Sequence, residues 1–157
     1  MPRASATMMT ILAILSAGTL AVAANAQHEI PRSSLIPPSQ LNSKMEEVQS
    51  GKIVLIHVGF RMMYKLAHIP GSTYTGSAST PEGIAALRKF AAKLRRDQQI
   101  VIYCGCCPWS HCPNIRPAFE ALKQMGFSNL KALDIPERLG DDWTAKGYPT
   151  EKAESRN

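Results

Sequence analysis

Three short apolar runs constrain this chain more than any other feature: KIVLIHVGF at 52–60, QQIVIYC at 98–104 and NLKALDI at 129–135. Each is rich in Ile, Val and Leu, the pattern of strands buried on both faces of a parallel sheet. Helical patterns lie between them. In SQLNSKMEEVQSG (39–51), Leu41, Met45 and Val48 share one face, Ser39 is placed as N-cap and Gly51 as stop. TPEGIAALRKFAAKLRRD (80–97) opens with Thr80 as cap and Pro81 at the first helical position, and aligns Ile84, Leu87, Ala91 and Leu94. A third helix runs from about Ile115 to Met125, capped by Asn114 and stopped by Gly126. The stretch 61–79, with its Pro70-Gly71 turn, reads as loop, and 138–149 as a short terminal helix or turn. Helices alternating with apolar strands define an α/β domain with a mainly parallel sheet and helices on both faces.

The amino terminus sets the expected compartment. Arg3 precedes an uncharged apolar stretch, residues 7–23, which ends at Ala24-Asn25-Ala26, a small-x-small pattern that fits signal peptidase cleavage before Gln27. Residues 1–26 are therefore expected to be a signal peptide and the mature protein to be periplasmic or secreted, without stable membrane insertion. The expected organisation continues with an extended, proline-rich lead-in at 27–38, one domain at 39–150 and a tail at 151–157, since 131 residues suit a single core. Those 131 residues carry 17 basic and 12 acidic side chains, dispersed apart from Arg95-Arg96 and with few aromatics among them. That distribution argues against a nucleic-acid partner and suits a domain that attracts small anions.

All four cysteines fall in VIYCGCCPWSHCPN (101–114), within nine positions. Bridges inside one loop tie no distant parts of the chain together, so stapling the fold is not their main task. In parallel sheets the reactive crevice lies at the carboxyl ends of the strands, where Cys104 falls. The helix that begins near Asn114 aims free amides and its positive dipole end at this loop, which favours a thiolate at Cys104, with Arg116 adding charge.

At these residues the chain resembles the rhodanese-like domains. LAHIPGS (66–72) is similar to the family's His-Ile-Pro-Gly-Ala segment, and IVIYC (100–104) to the strand leading into its active cysteine. ALKQMGFSNLKAL (121–133) and DDWTAKGYP (141–149) resemble its closing segments. The resemblance implies a five-stranded parallel sheet and a cysteine, here Cys104, that accepts sulfane sulfur as a persulfide and passes it to a thiophilic acceptor. Two departures stand out. Twelve positions separate Cys104 from Arg116, a longer loop than the family's, and LIHVG places His57 and Gly59 where an Asp and an Arg usually tie the loops.

The expected site is thus Cys104 as nucleophile, with Gly105, Cys106, Cys107, Trp109, Ser110 and Arg116 forming the loop that binds a substrate anion. Cys106, Cys107 and Cys112 are candidate resolving or disulfide-forming thiols. The expected partners are a small sulfur-containing anion or persulfide donor and a thiol reductant protein. No cofactor is expected. Dithiol redox exchange through the C-x-x-C of Cys104 and Cys107 is the main alternative, and a rhodanese-fold binding or sensing domain is another. Four cysteines and His111 could also ligate a soft metal, but C-x-C-C-x4-C is not the spacing of paired knuckles, and no metal is expected. His57 reads as a satisfied core histidine, His68 as a loop anchor, and Met62-Met63 as packing.

Overall fold

In the computed structural model, Met1 and residues 30–153 are described, and the signal-peptide expectation falls outside them. Five strands form one sheet in the order β1-β5-β4-β2-β3, with every neighbouring pair parallel. They are β1 (Leu35–Ile36), β2 (Ile53–His57), β3 (Thr73–Tyr74), β4 (Gln99–Tyr103) and β5 (Leu130–Leu133). The central strand β4 pairs with β2 through Val54↔Ile100 and Ile56↔Ile102, and with β5 through Ile100↔Leu130 and Ile102↔Ala132.

Because successive side chains of a strand point to opposite faces, β4 divides its residues between two cores. Ile100 and Ile102 pack with Leu87 and Ala91 of α4 (Pro81–Ala91) and with Ala118, Phe119 and Leu122 of α5 (Ile115–Gln124). Val101 and Tyr103 face the other way, onto Leu41 of α1 (Pro38–Asn42), Val48 of α2 (Met45–Gln49) and Trp143. The same alternation carries the next residue, Cys104, to the α4/α5 side, where it belongs to the first of these cores.

The cap and stop signals hold at both long helices. Thr80 accepts a hydrogen bond from the Gly83 amide with Pro81 at the first position, and Gly126 takes φ +88° after α5. Three local expectations are corrected. Ser39 is not a cap: α1 begins at Pro38, with Pro37 in the cap position, and the segment is two five-residue helices broken at Ser43-Lys44. The stretch 61–79 is not all loop: it holds α3 (Arg61–Leu66) and the edge strand β3. Asn114 stands at the start of α5, but its side chain does not cap the helix. The outermost strand, β1, lies within the segment read as lead-in, and Glu151 pairs with His68 through both backbone amides. A short helix, α6 (Leu139–Asp142), and a 3-10 turn, Thr144–Lys146, close the domain, with the Trp143 indole donating to the Pro149 carbonyl. Among the described residues no helix is long and apolar enough to cross a membrane.

Gly83, in the first turn of α4, lies against the 77–80 turn, and a Cβ there would overlap the Ser77 carbonyl oxygen. In an open helix Gly→Ala stabilises by about 1 kcal/mol. Here the sign reverses: Gly83→Ala is expected to lower the denaturant midpoint at unchanged slope, as chemical unfolding would show.

Candidate functional site

The site is the loop 104–114 between β4 and α5, with a 3-10 turn at Trp109–His111. It is tied down at several points despite its length. The Leu139 amide donates to the Gly105 carbonyl, and the Trp109 amide to the Ile135 carbonyl, fixing the loop to the β5–α6 connection. Gly105 sits at φ +81° with the Leu139 side chain against its Cα, a place where any Cβ would be crowded.

Within this loop the sulfurs of Cys104, Cys106 and Cys112 all lie within 4.8 Å of one another. Cys104 and Cys106 sulfurs are 3.1 Å apart, and Cys107 lies beside the group, 3.2 Å from the Cys106 sulfur and interacting with Cys112 as well. Cys104 and Cys112 are buried, and Cys106 and Cys107 are half-buried. Three converging sulfurs at this spacing could also span one soft cation. His111 is not part of the group: it is exposed and pairs with Ser110 Oγ at 3.1 Å. The C-x-x-C reading places Cys107 opposite Cys104, whereas the neighbours brought to Cys104 are Cys106 and Cys112.

The protons are not distributed as the sequence suggests. The backbone amides of Asn114 and Ile115, at the amino end of α5, reach Cys112 rather than Cys104. Cys112 also receives the thiol hydrogen of Cys104, the largest cause of its lowered pKa of about 5, which the two amides reinforce against burial. Cys104 is pushed strongly upward, first by that same bond to Cys112 and then by burial. Cys107 also moves upward, through burial and its bond to Cys106. Negative charge is therefore better met on Cys112, and Cys104 is the thiol that holds its proton more tightly. Helix geometry explains the difference: α5 begins three residues beyond Cys112, so its free amides meet that sulfur first.

Two further residues hold Cys104 that sequence patterns do not reveal as site residues. Asn114, fully buried, accepts hydrogen bonds at Oδ1 from Ser77 Oγ at 2.7 Å and from the Ser79 amide at 2.9 Å. Its Nδ2 donates to the Cys104 sulfur at 3.5 Å, so it bridges the 77–80 turn to the thiol. Gly59 faces the same sulfur: a Cβ there would lie 2.5 Å from Cys104 Sγ. A pattern scan reads an Asn before a helix as a cap and a Gly after a strand as a turn, which conceals both roles.

His57 ties the ends of β2 and β4. Its Nδ1 accepts the Gly59 amide at 3.2 Å, leaving the other ring nitrogen to donate toward the Cys104 carbonyl. It is buried among Tyr64, Tyr74 and Tyr103, and burial lowers its pKa to about 4, with the Cys104 carbonyl opposing and His68 adding slightly. It is the satisfied core histidine expected, and it joins the two loops from the position where the family usually carries an Asp. His68 is an anchor: Nδ1 meets the Tyr64 carbonyl at 2.8 Å, and Nε2 meets Glu151 at 3.1 Å.

Arg116 makes no hydrogen bond to the thiol group and belongs to the surface beside the loop. With Arg32, Ile30, Trp109 and Ser110 it lines a recess of about 210 Å³, and Arg32 and Trp109 also line a neighbouring recess of about 380 Å³ with Asp134. Trp109 packs on the α4/α5 core between these openings. Met62 and Met63 are exposed rather than serving as packing, and Leu66 is exposed beside them.

No protein-family profile matches the chain, and no curated protein matches it by sequence. Solved structures do match. The rhodanese-like domain of the Alr3790 protein from Anabaena sp. superposes with a TM-score of 0.55 at 23% identity, over 79% of this chain and 83% of that one. Thiosulfate sulfurtransferase from Pseudomonas aeruginosa gives 0.54 at 16% identity, over 78% of this chain and 21% of that longer protein. EanB, solved as a cysteine persulfide with ergothioneine, gives 0.52 at 22% identity over 74% of this chain and 27% of its own. The chain has the rhodanese-like fold, as the four sequence segments imply.

The neutral state of His57 makes stability depend on acid. With its pKa lowered from 6.5 to about 4, the unfolded chain binds the proton first as pH falls. The stability His57 contributes is complete above pH 6.5 and is lost on descending to about 4, up to about 3 kcal/mol. Denaturant unfolding across this window is expected to show that loss, and His57→Gln to reduce the slope.

Proposed function

We propose that this chain is a sulfurtransferase-type protein that carries sulfane sulfur as a persulfide on Cys104, taken from a thiosulfate- or polysulfide-like donor and passed to a thiol or other thiophilic acceptor. The observation that carries this reading is the setting of the Cys104 thiol. It directly follows the central strand of a rhodanese-like sheet, accepts the Asn114 side-chain amide and lies within 4.8 Å of the Cys112 sulfur, beside the amino end of α5.

The chemistry follows from those contacts. As Cys104 Sγ attacks the outer sulfur of the donor, its proton passes to Cys112, which acts as the base. The sulfur–sulfur bond of the donor breaks, its electron pair leaves with sulfite or a thiolate, and the new terminal sulfur on Cys104 carries the negative charge. Cys106, lying over the Cys104 sulfur, moves aside to admit the donor. Arg32 and Arg116 flank Trp109 in the recess beside the loop and suit the anionic part of such a donor.

Residues 1–26 act as the export signal in this reading, and a reducing thiol protein outside the cytoplasm keeps the four thiols reduced. Thiol–disulfide exchange is the second reading, favoured by the 3.1 Å approach of Cys104 and Cys106 sulfurs.

Intact-mass spectrometry separates the two. Reduced protein treated briefly with thiosulfate or polysulfide is expected to gain one sulfur atom, roughly 32 Da, on Cys104, and Cys104→Ser to gain none. Formation of disulfides alone, whichever donor is supplied, would favour exchange. Arg116→Ala is expected to raise KM for an anionic donor about tenfold, the loss of about 1.4 kcal/mol, with kcat little changed.

A further inference from the structure

We infer that Cys112 resolves the Cys104 persulfide, so that the chain reduces sulfane sulfur and releases it as hydrosulfide, leaving a Cys104–Cys112 disulfide. This rests on the persulfide reading above and specifies its outcome.

Position selects Cys112 among the three neighbouring thiols. Its sulfur lies within 4.8 Å of the Cys104 sulfur, buried beside it in the same group. It also accepts the Asn114 and Ile115 amides of the ten-residue helix α5, which suits it to act as a nucleophile inside an otherwise apolar core. Cys106 is close, but only Gly105 separates it from Cys104, and a disulfide across one residue closes a ring with little freedom for relaxed geometry. Cys107 stands outside the group. Seven residues of chain between Cys104 and Cys112 give that pair the slack the other two lack.

Atoms and electrons balance. After charging, Cys104 bears an S–S⁻ group and Cys112 holds the proton it accepted. The Cys112 sulfur attacks the inner sulfur, Cys104 Sγ. The Cys104–Cys112 bond forms, the bond from Cys104 Sγ to the outer sulfur breaks, and that sulfur leaves with the electron pair and the proton as HS⁻. Two thiols are oxidised to one disulfide, and the sulfane sulfur is reduced to sulfide. A further cycle requires an external dithiol, either a small reductant or a dithiol protein, to reopen the disulfide. The acceptor of the first sulfur is thereby internal.

The experiment uses the full mature chain, reduced and kept free of oxygen, with one equivalent of inorganic polysulfide or thiosulfate and no added reductant. Hydrosulfide is quantified over time, intact mass is followed, and disulfides are mapped by peptide mass spectrometry. The expected result is a transient gain of roughly 32 Da, then release of about one hydrosulfide per chain, loss of about 2 Da relative to the reduced protein, and a disulfide that maps to Cys104 and Cys112. Cys112→Ser, which also lacks the base for charging, is expected to load sulfur more slowly but to keep it once loaded, and to release at least about tenfold less hydrosulfide per persulfide formed. A wild-type persulfide that persists without sulfide release overturns resolution while leaving charging intact. Release with a disulfide that maps to Cys106 or Cys107, or release from Cys112→Ser at the wild-type rate, overturns the assignment to Cys112. Absence of both the mass gain and the sulfide in every sample removes the persulfide reading itself, and the inference with it.

Discussion

The two-residue period of β4 is the constraint on which the site depends. Ile100 and Ile102 must face α4 and α5 to bury their side chains, so Cys104, next in the same parity, presents its thiol on that face whatever the following loop does. A slip of one residue would send the sulfur to the Trp143 side and Tyr103 into the place of the thiol. Hydrophobic burial of the two isoleucines therefore fixes the position of the Cys104 sulfur. The loop then has only to bring partners to a sulfur that the sheet has already placed.

Those partners divide the work of a single anionic pocket between two sulfurs. The free amides of α5 meet Cys112, while Cys104 keeps its proton and donates it to that neighbour. A buried negative charge costs free energy unless hydrogen bonds meet it, and one thiolate met by two amides and by the thiols of Cys104 and Cys107 satisfies this where two adjacent thiolates would not. The extra length of the loop is what allows the arrangement, since it carries a second cysteine back to the helix terminus. His57 plays a matching part at the other end, as a neutral link between the Gly59 amide and the Cys104 carbonyl in a pocket too dry for an unpaired carboxylate.

Much of this was legible in the sequence where burial imposes a pattern. The strands β2, β4 and β5 showed as unbroken apolar runs, and α4 and α5 as apolar stripes with Thr80 or Gly126 at an end. The edge strands β1 and β3 did not show, because two residues carry no period and their pairing is set by the neighbour. Helix α3 stayed hidden for a related reason: Met62 and Leu66 are exposed, so it has no buried stripe to detect. At the site, Cys104 could be picked from its place after a strand, but the partner that receives the helix amides could not, because this depends on how the loop folds back. Ser39 and Asn114 were both read as caps from residue type alone. Pro37 and Pro38 fix the start of α1 without a side-chain cap, and the Asn114 side chain is committed to the 77–80 turn and the thiol.

At Gly59 the backbone itself packs against the thiol: a Cβ there would lie 2.5 Å from Cys104 Sγ, 3.0 Å from His57 Cε1 and 3.1 Å from the Cys104 carbonyl oxygen. The missing side chain is what lets the ends of β2 and β4 close on the sulfur, and any larger residue would act as a wedge that drives the thiol from its partners. Position 59 thereby sets how deeply the sulfur is seated.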